Sequence, residues 1–149
     1  MRRILRVVFA VGASAAPALA FADDSATNGA IDNAFGEHAK YERVILSLQK
    51  AVVAHDSAAV ANLVRYPISV SIGGRKTMIQ NAKMFLANYG AIMTPDIVST
   101  VKTQKYEDLF VNYQGVMFGR GQIWVNGVCK DKACNTRDVK IITIQHAPR

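Results

Sequence analysis

Between Asp108 and Asp131 the chain carries no carboxylate. Acid–base chemistry in that stretch would have to borrow its acid from elsewhere. Cysteine is scarce, with only Cys129 and Cys134, so there are too few thiolates for a structural zinc site, and no nearby histidine completes one. After the first 20 residues no run of lysine and arginine exceeds two, which argues against nucleic acid as a partner. A nucleotide loop is missing as well. Gly73-Gly74-Arg75-Lys76 is basic and glycine-rich but lacks the preceding glycine spacing and the following Ser or Thr. Ser47, Ser57, Ser69, Ser71 and Ser99 sit in no strand-to-helix elbow, so no serine nucleophile is assigned. His38 and His55 lie more than about 20 Å apart along a helix, too far to share a small substrate, and His146 is close to the C-terminus. No catalytic residue, metal ligand or cofactor follows from these patterns.

What the chain does have begins with a leader. Arg2, Arg3 and Arg6 precede an apolar stretch from Val7 to Val11, and small residues run on to Ala18-Leu19-Ala20. This is the pattern of an export signal cleaved after Ala20. A membrane anchor and an arginine-rich transit segment are the alternatives. The first is disfavoured because the apolar core falls short of the roughly 18 residues that span a bilayer. The chain has 18 Lys plus Arg against 11 Asp plus Glu; without the three leader arginines the balance is 15 against 11, a mild net charge near +4. We expect residues 1–20 to be a cleaved signal, 21–30 a flexible N-terminus and 31–146 a single domain, in the periplasm or secreted, without stable membrane insertion. In an oxidising compartment Cys129 and Cys134 are expected to form a disulfide that pins a short loop. A loop this short limits its contribution to about 2–3 kcal/mol.

Helical periodicity runs from Ile31 to about His55 through Ile31, Phe35, Tyr41, Ile45, Leu48 and Val52, which predicts one long amphipathic helix. Asp56 or Ser57 caps a shorter helix that ends before Pro67. Pro67 to Ile72 alternates apolar with polar and Gly73 to Lys76 turns the chain, so this is a short strand or one arm of a small hairpin. Thr77 is the expected cap of a third helix with Gly90 as its stop. Thr94-Pro95-Asp96 starts a fourth, with proline at the first helical position and an acid in the first turn. Tyr106 to Cys129 then concentrates aromatics, β-branched residues and glycines. Either Gly119-Arg120-Gly121 turns a hairpin, or the glycines bend one long strand around the core, the preferred reading. Val139 to Gln145, apolar on both parities from Ile141 to Ile144, is expected as a central strand.

This order of elements, with the segment from Asp56 to Pro95 and EDLFVNYQGVMFGRGQIWVNG from Glu107 to Gly127, resembles the nuclear-transport-factor-2-like superfamily, also called SnoaL-like or cystatin-like. It looks like the small exported bacterial proteins of that group, many without an assigned activity. The resemblance implies an α+β fold in which a strongly curved mixed or antiparallel sheet wraps a long N-terminal helix as a cone. It implies a cavity lined by Tyr41, Tyr66, Phe85, Tyr89, Met117 and Phe118, with Asn112, Gln114 and Arg120 as polar or partner-contacting groups. A homodimer through the open face of the sheet is a further implication. Isomerase members imply a carboxylate base just after the second helix, but Arg65-Tyr66-Pro67-Ile68-Ser69 contains none. The favoured expectation is a non-enzymatic binding or accessory module for a small molecule or a periplasmic protein. One alternative is a small-molecule lyase, isomerase or hydrolase using Tyr41, Tyr66 or Tyr89 with Asp96 or Glu107. The other is an immunity or inhibitor protein that acts through Gly119-Arg120-Gly121.

Overall fold

A computed structural model describes residues 23–147; the expected export signal over residues 1–20 lies outside them. Gly36 divides the long helix expected from Ile31 to His55. Helix α1 spans Ser25–Phe35 and α2 spans His38–Val53. Gly36 ends α1 in the left-handed region at φ 93°, and its N–H donates to the Asp32 carbonyl at 2.9 Å. That is a glycine C-cap, open to a residue with no Cβ. The Asp32 carboxylate then fixes the corner by accepting the His38 backbone N–H and meeting His38 Nδ1, both at 2.7 Å. Both contacts lower the Asp32 pKa, the backbone bond most.

The first turns of α1 fall in the segment expected to be flexible. Thr27 is buried, and its hydroxyl donates to the carbonyls of Tyr106 and Glu107 at 3.2 and 3.1 Å. The Tyr106 hydroxyl returns a 2.8 Å bond to Asn28 Oδ1. Long-range hydrogen bonds thus order a stretch whose composition alone suggested none.

Helix α3, Ser57–Leu63, is capped by Asp56, which accepts from the Ala59 N–H at 2.9 Å. Strands β1, Ile68–Ile72, and β2, Arg75–Ile79, form a hairpin whose turn places Gly73 at φ 59° and Gly74 at φ 78°. Two successive positive φ values suit glycine at a tight hairpin turn. Thr77 therefore lies in β2 opposite Val70 and caps nothing. Asn81 takes that role, accepting from the Met84 N–H at 3.0 Å at the head of α4, Ala82–Ala87. A short α5, Tyr89–Ile92, contains Gly90, which is not a stop. Helix α6, Pro95–Thr103, starts with proline and Asp96 in its first turn as expected, though the Thr94 hydroxyl makes no capping bond.

The remaining strands are β3, Phe110–Asn112; β4, Gly115–Phe118; β5, Ile123–Cys129; and β6, Arg137–Ile144. They pair in chain order as a four-stranded antiparallel sheet. The bent single strand preferred from the sequence is thus two strands: Gly119 at φ 59° and Gly121 at φ 105° turn β4 into β5. Buried Gln122 holds the turn, its Oε1 accepting the Arg120 N–H at 2.7 Å and its amide donating to Thr100 Oγ1 at 3.2 Å. Gly115 serves a different need, because a Cβ there would stand 2.4 Å from the Val125 carbonyl oxygen of the neighbouring strand. A register irregularity at Trp124/Val125 adds local twist.

The protein is α+β, with helices and two antiparallel sheets, the hairpin and the four-stranded sheet. β1 packs beside β6, and Val64 bridges Ile141 in parallel, with the Arg65 N–H donating to the Ile141 carbonyl at 2.9 Å. Helix α2 lies on β5 and β6, and α1 lies against β3. The core between these layers holds Ile45, Leu48, Phe85, Phe118, Ile123 and Ile141, all fully buried. Each such side chain stabilises by about 1.5–3 kcal/mol relative to exposure. β6 ends the four-stranded order but is flanked by Val64 and β1, which accounts for its apolar residues on both parities.

Candidate functional site

The aromatic residues expected around one cavity occupy three places. Tyr66, Phe85 and Tyr89 form an edge-to-face chain, with ring centroids 6.2 and 5.9 Å apart, where α3, α4 and α5 meet. Phe118 is fully buried in the core, while Met117 is opposite Trp124 on the outer face of the sheet. Tyr41 alone of the six lines the cleft described next. The polar candidates also disperse. Asn112 accepts the Gln114 N–H at 2.8 Å within the β3–β4 turn, and the Gln114 carbonyl accepts from Asn126 Nδ2 at 2.9 Å. Arg120 is exposed at the tip of the β4–β5 hairpin and has no ion pair among the described residues.

The cleft, of about 370 Å3, opens between the α1–α2 corner and the disulfide loop. Its walls come from Phe35, Gly36, Glu37, Lys40 and Tyr41 on one side and Gly127, Cys134, Asn135, Arg137 and Val139 on the other. The break at Gly36 sets one wall. Because α1 stops there, Phe35 folds onto Tyr41, with rings 5.0 Å apart and 18° from parallel. Stacked this way, the pair presents one flat aromatic plate, the outer face of Phe35, because Tyr41 is buried. Tyr41 is fixed beneath it: its hydroxyl donates to Asn126 Oδ1 at 3.0 Å and accepts the Gly127 N–H at 3.0 Å. Burial raises the Tyr41 pKa, opposed in part by the Gly127 bond and the Arg137 charge.

The disulfide Cys129–Cys134 forms as expected and sets the other wall. Within its loop the Asp131 carboxylate accepts the backbone N–H groups of Asn135 and Thr136, both at 3.1 Å, and the Thr136 hydroxyl at 2.9 Å. These bonds, the Asn135 one first, hold the Asp131 pKa below the usual carboxylate value. The loop thereby presents Asn135 and delivers Arg137 to the cleft at the start of β6. Arg137 Nε donates to Cys134 Sγ at 3.1 Å, and its stem passes over Gly127, where a Cβ would sit 3.3 Å from Arg137 Cδ.

An adjoining depression of about 380 Å3 shares Lys40, Asn135, Arg137 and Val139 and adds Arg43, Lys130, Thr136 and Asp138. The two together hold four cations, Lys40, Arg43, Lys130 and Arg137, against Glu37 and Asp138. Lys40 pairs with Glu37 at 2.5 Å and Lys130 with Asp138 at 3.5 Å. Arg43 and Arg137 have no carboxylate partner among the described residues, so the region is left positive.

Sequence reasoning missed Phe35, Lys40, Arg43, Asn135 and Arg137. Its signal was Gly36 inside an otherwise helical pattern; read as an interruption, it would have marked a corner and the residues around it. No tyrosine–carboxylate pair of the kind the enzyme alternative requires is assembled among the described residues. Tyr66 donates to the Ala61 carbonyl at 2.9 Å, Tyr41 and Tyr106 donate to amides, and Glu107 pairs with Lys105 at 3.5 Å. Three-residue groups of His, Cys, Asp and Glu able to hold a metal do not form among the described residues. No helix among them is long and apolar enough to cross a membrane. No family model matches this chain, and no curated protein or solved structure matches it either.

Proposed function

We propose that the chain is an exported, non-enzymatic binding or accessory module with a nuclear-transport-factor-2-like fold. The order of elements supports the fold: helices, a β-hairpin, further helices and a four-stranded antiparallel meander, with β1 beside β6. The disulfide and the leader pattern support export. One observation carries the binding role. The cleft is open and lined with polar and aromatic groups, yet its one tyrosine hydroxyl is already committed to Asn126 and Gly127. Among the described residues no imidazole lines the cleft, and the one carboxylate that does, Glu37, is paired with Lys40. Such a surface recognises and holds; it has no poised proton acceptor.

A second copy would use the outer face of the sheet, where the register aligns Phe110, Met117, Trp124 and Thr143 across four strands and Phe110 is half exposed.

The binding role is tested by incubating purified mature protein with panels of small esters, hydroxy acids and enones, then following each by NMR. We expect every compound to be recovered unchanged. Consumption of one of them, lost in Tyr41→Phe, would replace the module with an enzyme.

A further inference from the structure

The geometry points to a specific ligand class for the cleft: a small organic anion whose carboxylate meets Arg137 while its planar apolar body lies on the outer face of Phe35, which Tyr41 backs. This rests on the binding-module reading above and names its ligand.

Three features converge. First, Arg137 is an uncompensated guanidinium. Its Nε is used by Cys134 Sγ, and no carboxylate among the described residues pairs with the fork. A planar, permanently charged fork with free terminal N–H groups matches a carboxylate in two-point contact, which a lysine cannot reproduce. Second, Phe35 lines the same cleft, stacked at 18° over a Tyr41 that is only 4% exposed, so the pair offers a ligand the outer face of Phe35. A face of this kind takes a flat apolar group by offset stacking. Third, the neighbouring charges act in one direction. Lys40 and Lys130 each pair with a carboxylate, which leaves Arg43 in the adjoining depression as a second cation without a partner among the described residues. Its field adds to that of Arg137 and repels a cationic ligand.

The amide of Asn135 and the Tyr41 hydroxyl complete the lining. Tyr41 is buried and its hydroxyl is committed to Asn126 and Gly127, so it serves as the support behind Phe35. The volume, about 370 Å3, falls in the range of small-molecule sites. Inorganic phosphate shares the oxyanion chemistry but has no body for the plate, so the two sources of charge can be told apart.

The test is calorimetric titration of oxidised mature protein with benzoate, benzamide and inorganic phosphate. Benzoate is expected to bind, and benzamide and phosphate each roughly tenfold more weakly or worse. Arg137→Gln is expected to weaken benzoate by roughly tenfold or more. Arg43→Gln should act in the same direction by a smaller factor. Arg120→Gln, at the opposite end of β5, is expected to leave affinity unchanged. Circular dichroism of each variant confirms that it is folded. Equal affinity for benzoate and benzamide overturns the proposal, as does wild-type affinity in folded Arg137→Gln, and tighter binding of phosphate removes the role of the plate. The two levels fail separately. Folded protein that binds neither benzoate nor phosphate removes the anion site and leaves the module reading standing. Substrate consumption lost in Tyr41→Phe removes the module reading, whatever benzoate does.

Discussion

At the scale of single residues, most polar side chains with a distinctive environment are engaged in holding backbone. Asp131 organises the disulfide loop, Gln122 the β4–β5 turn, Asp32 the α1–α2 corner and Thr27 the docking of α1. The tyrosine hydroxyls are likewise committed within the fold, Tyr66 to the Ala61 carbonyl and Tyr106 to the Asn28 side chain. Burial pushes the Tyr66 hydroxyl from the ordinary value of 10.0 up to about 12. Burial, followed by the negative charges of Glu42, Asp24 and Asp32, pushes Tyr106 up to about 12 as well. Both groups are neutral when folded and titrate later than in the unfolded chain. Their stabilising contribution is therefore complete below the unfolded pKa and is lost as pH rises through the folded one. We predict that the urea midpoint falls between pH 10.0 and about 12. The double variant Tyr66→Phe, Tyr106→Phe should show a shallower fall across that window. An identical slope in the variant would show that these two hydroxyls are not the source.

At the scale of elements, legibility followed the range of the interaction. Helix α6 was readable because proline and Asp96 act within their own turn, and the β1–β2 turn because two glycines suffice to make it. The disulfide was readable from spacing and the expected oxidising compartment. Thr77 was misplaced because threonine suits both a cap and a strand, and only pairing with Val70 decides between them. The β4–β5 turn was ambiguous because it depends on Gln104 and Thr100, far away in sequence: Gln104 Oε1 accepts the Gly119 N–H at 2.9 Å. The first helix was overextended because apolar periodicity continues across Gly36 while the backbone does not. That last point has a measurable sign. Were Gly36 inside one continuous helix, Gly36→Ala would stabilise by about 1 kcal/mol through helix propensity. At φ 93° it must instead destabilise, by about 1 kcal/mol, even though a Cβ would meet no atom within 4 Å. Urea denaturation distinguishes the two, and a stabilised variant would restore the single helix.

At the scale of the whole molecule, two of these local events create the candidate site. The break at Gly36 tips Phe35 onto Tyr41, and the Cys129–Cys134 loop brings Asn135 and Arg137 to face them across Gly127. The family resemblance directed attention to a central cavity lined by tyrosines, phenylalanines and Met117. In the folded chain Phe85 and Phe118 are core, and the cleft is framed by Phe35 and Tyr41 from the apolar stripe, by Glu37 and Lys40 on the polar face beside it, and by a loop. Charged residues on such a face carry no sequence signal until a second element is placed opposite them. Benzoate-induced amide shifts in isotopically labelled, oxidised mature protein test this placement most directly. The account predicts the largest shifts at Phe35 to Tyr41, Gly127 and Cys134 to Val139; their concentration around Tyr66, Phe85 and Tyr89, or on the outer sheet face at Met117 and Trp124, would contradict it.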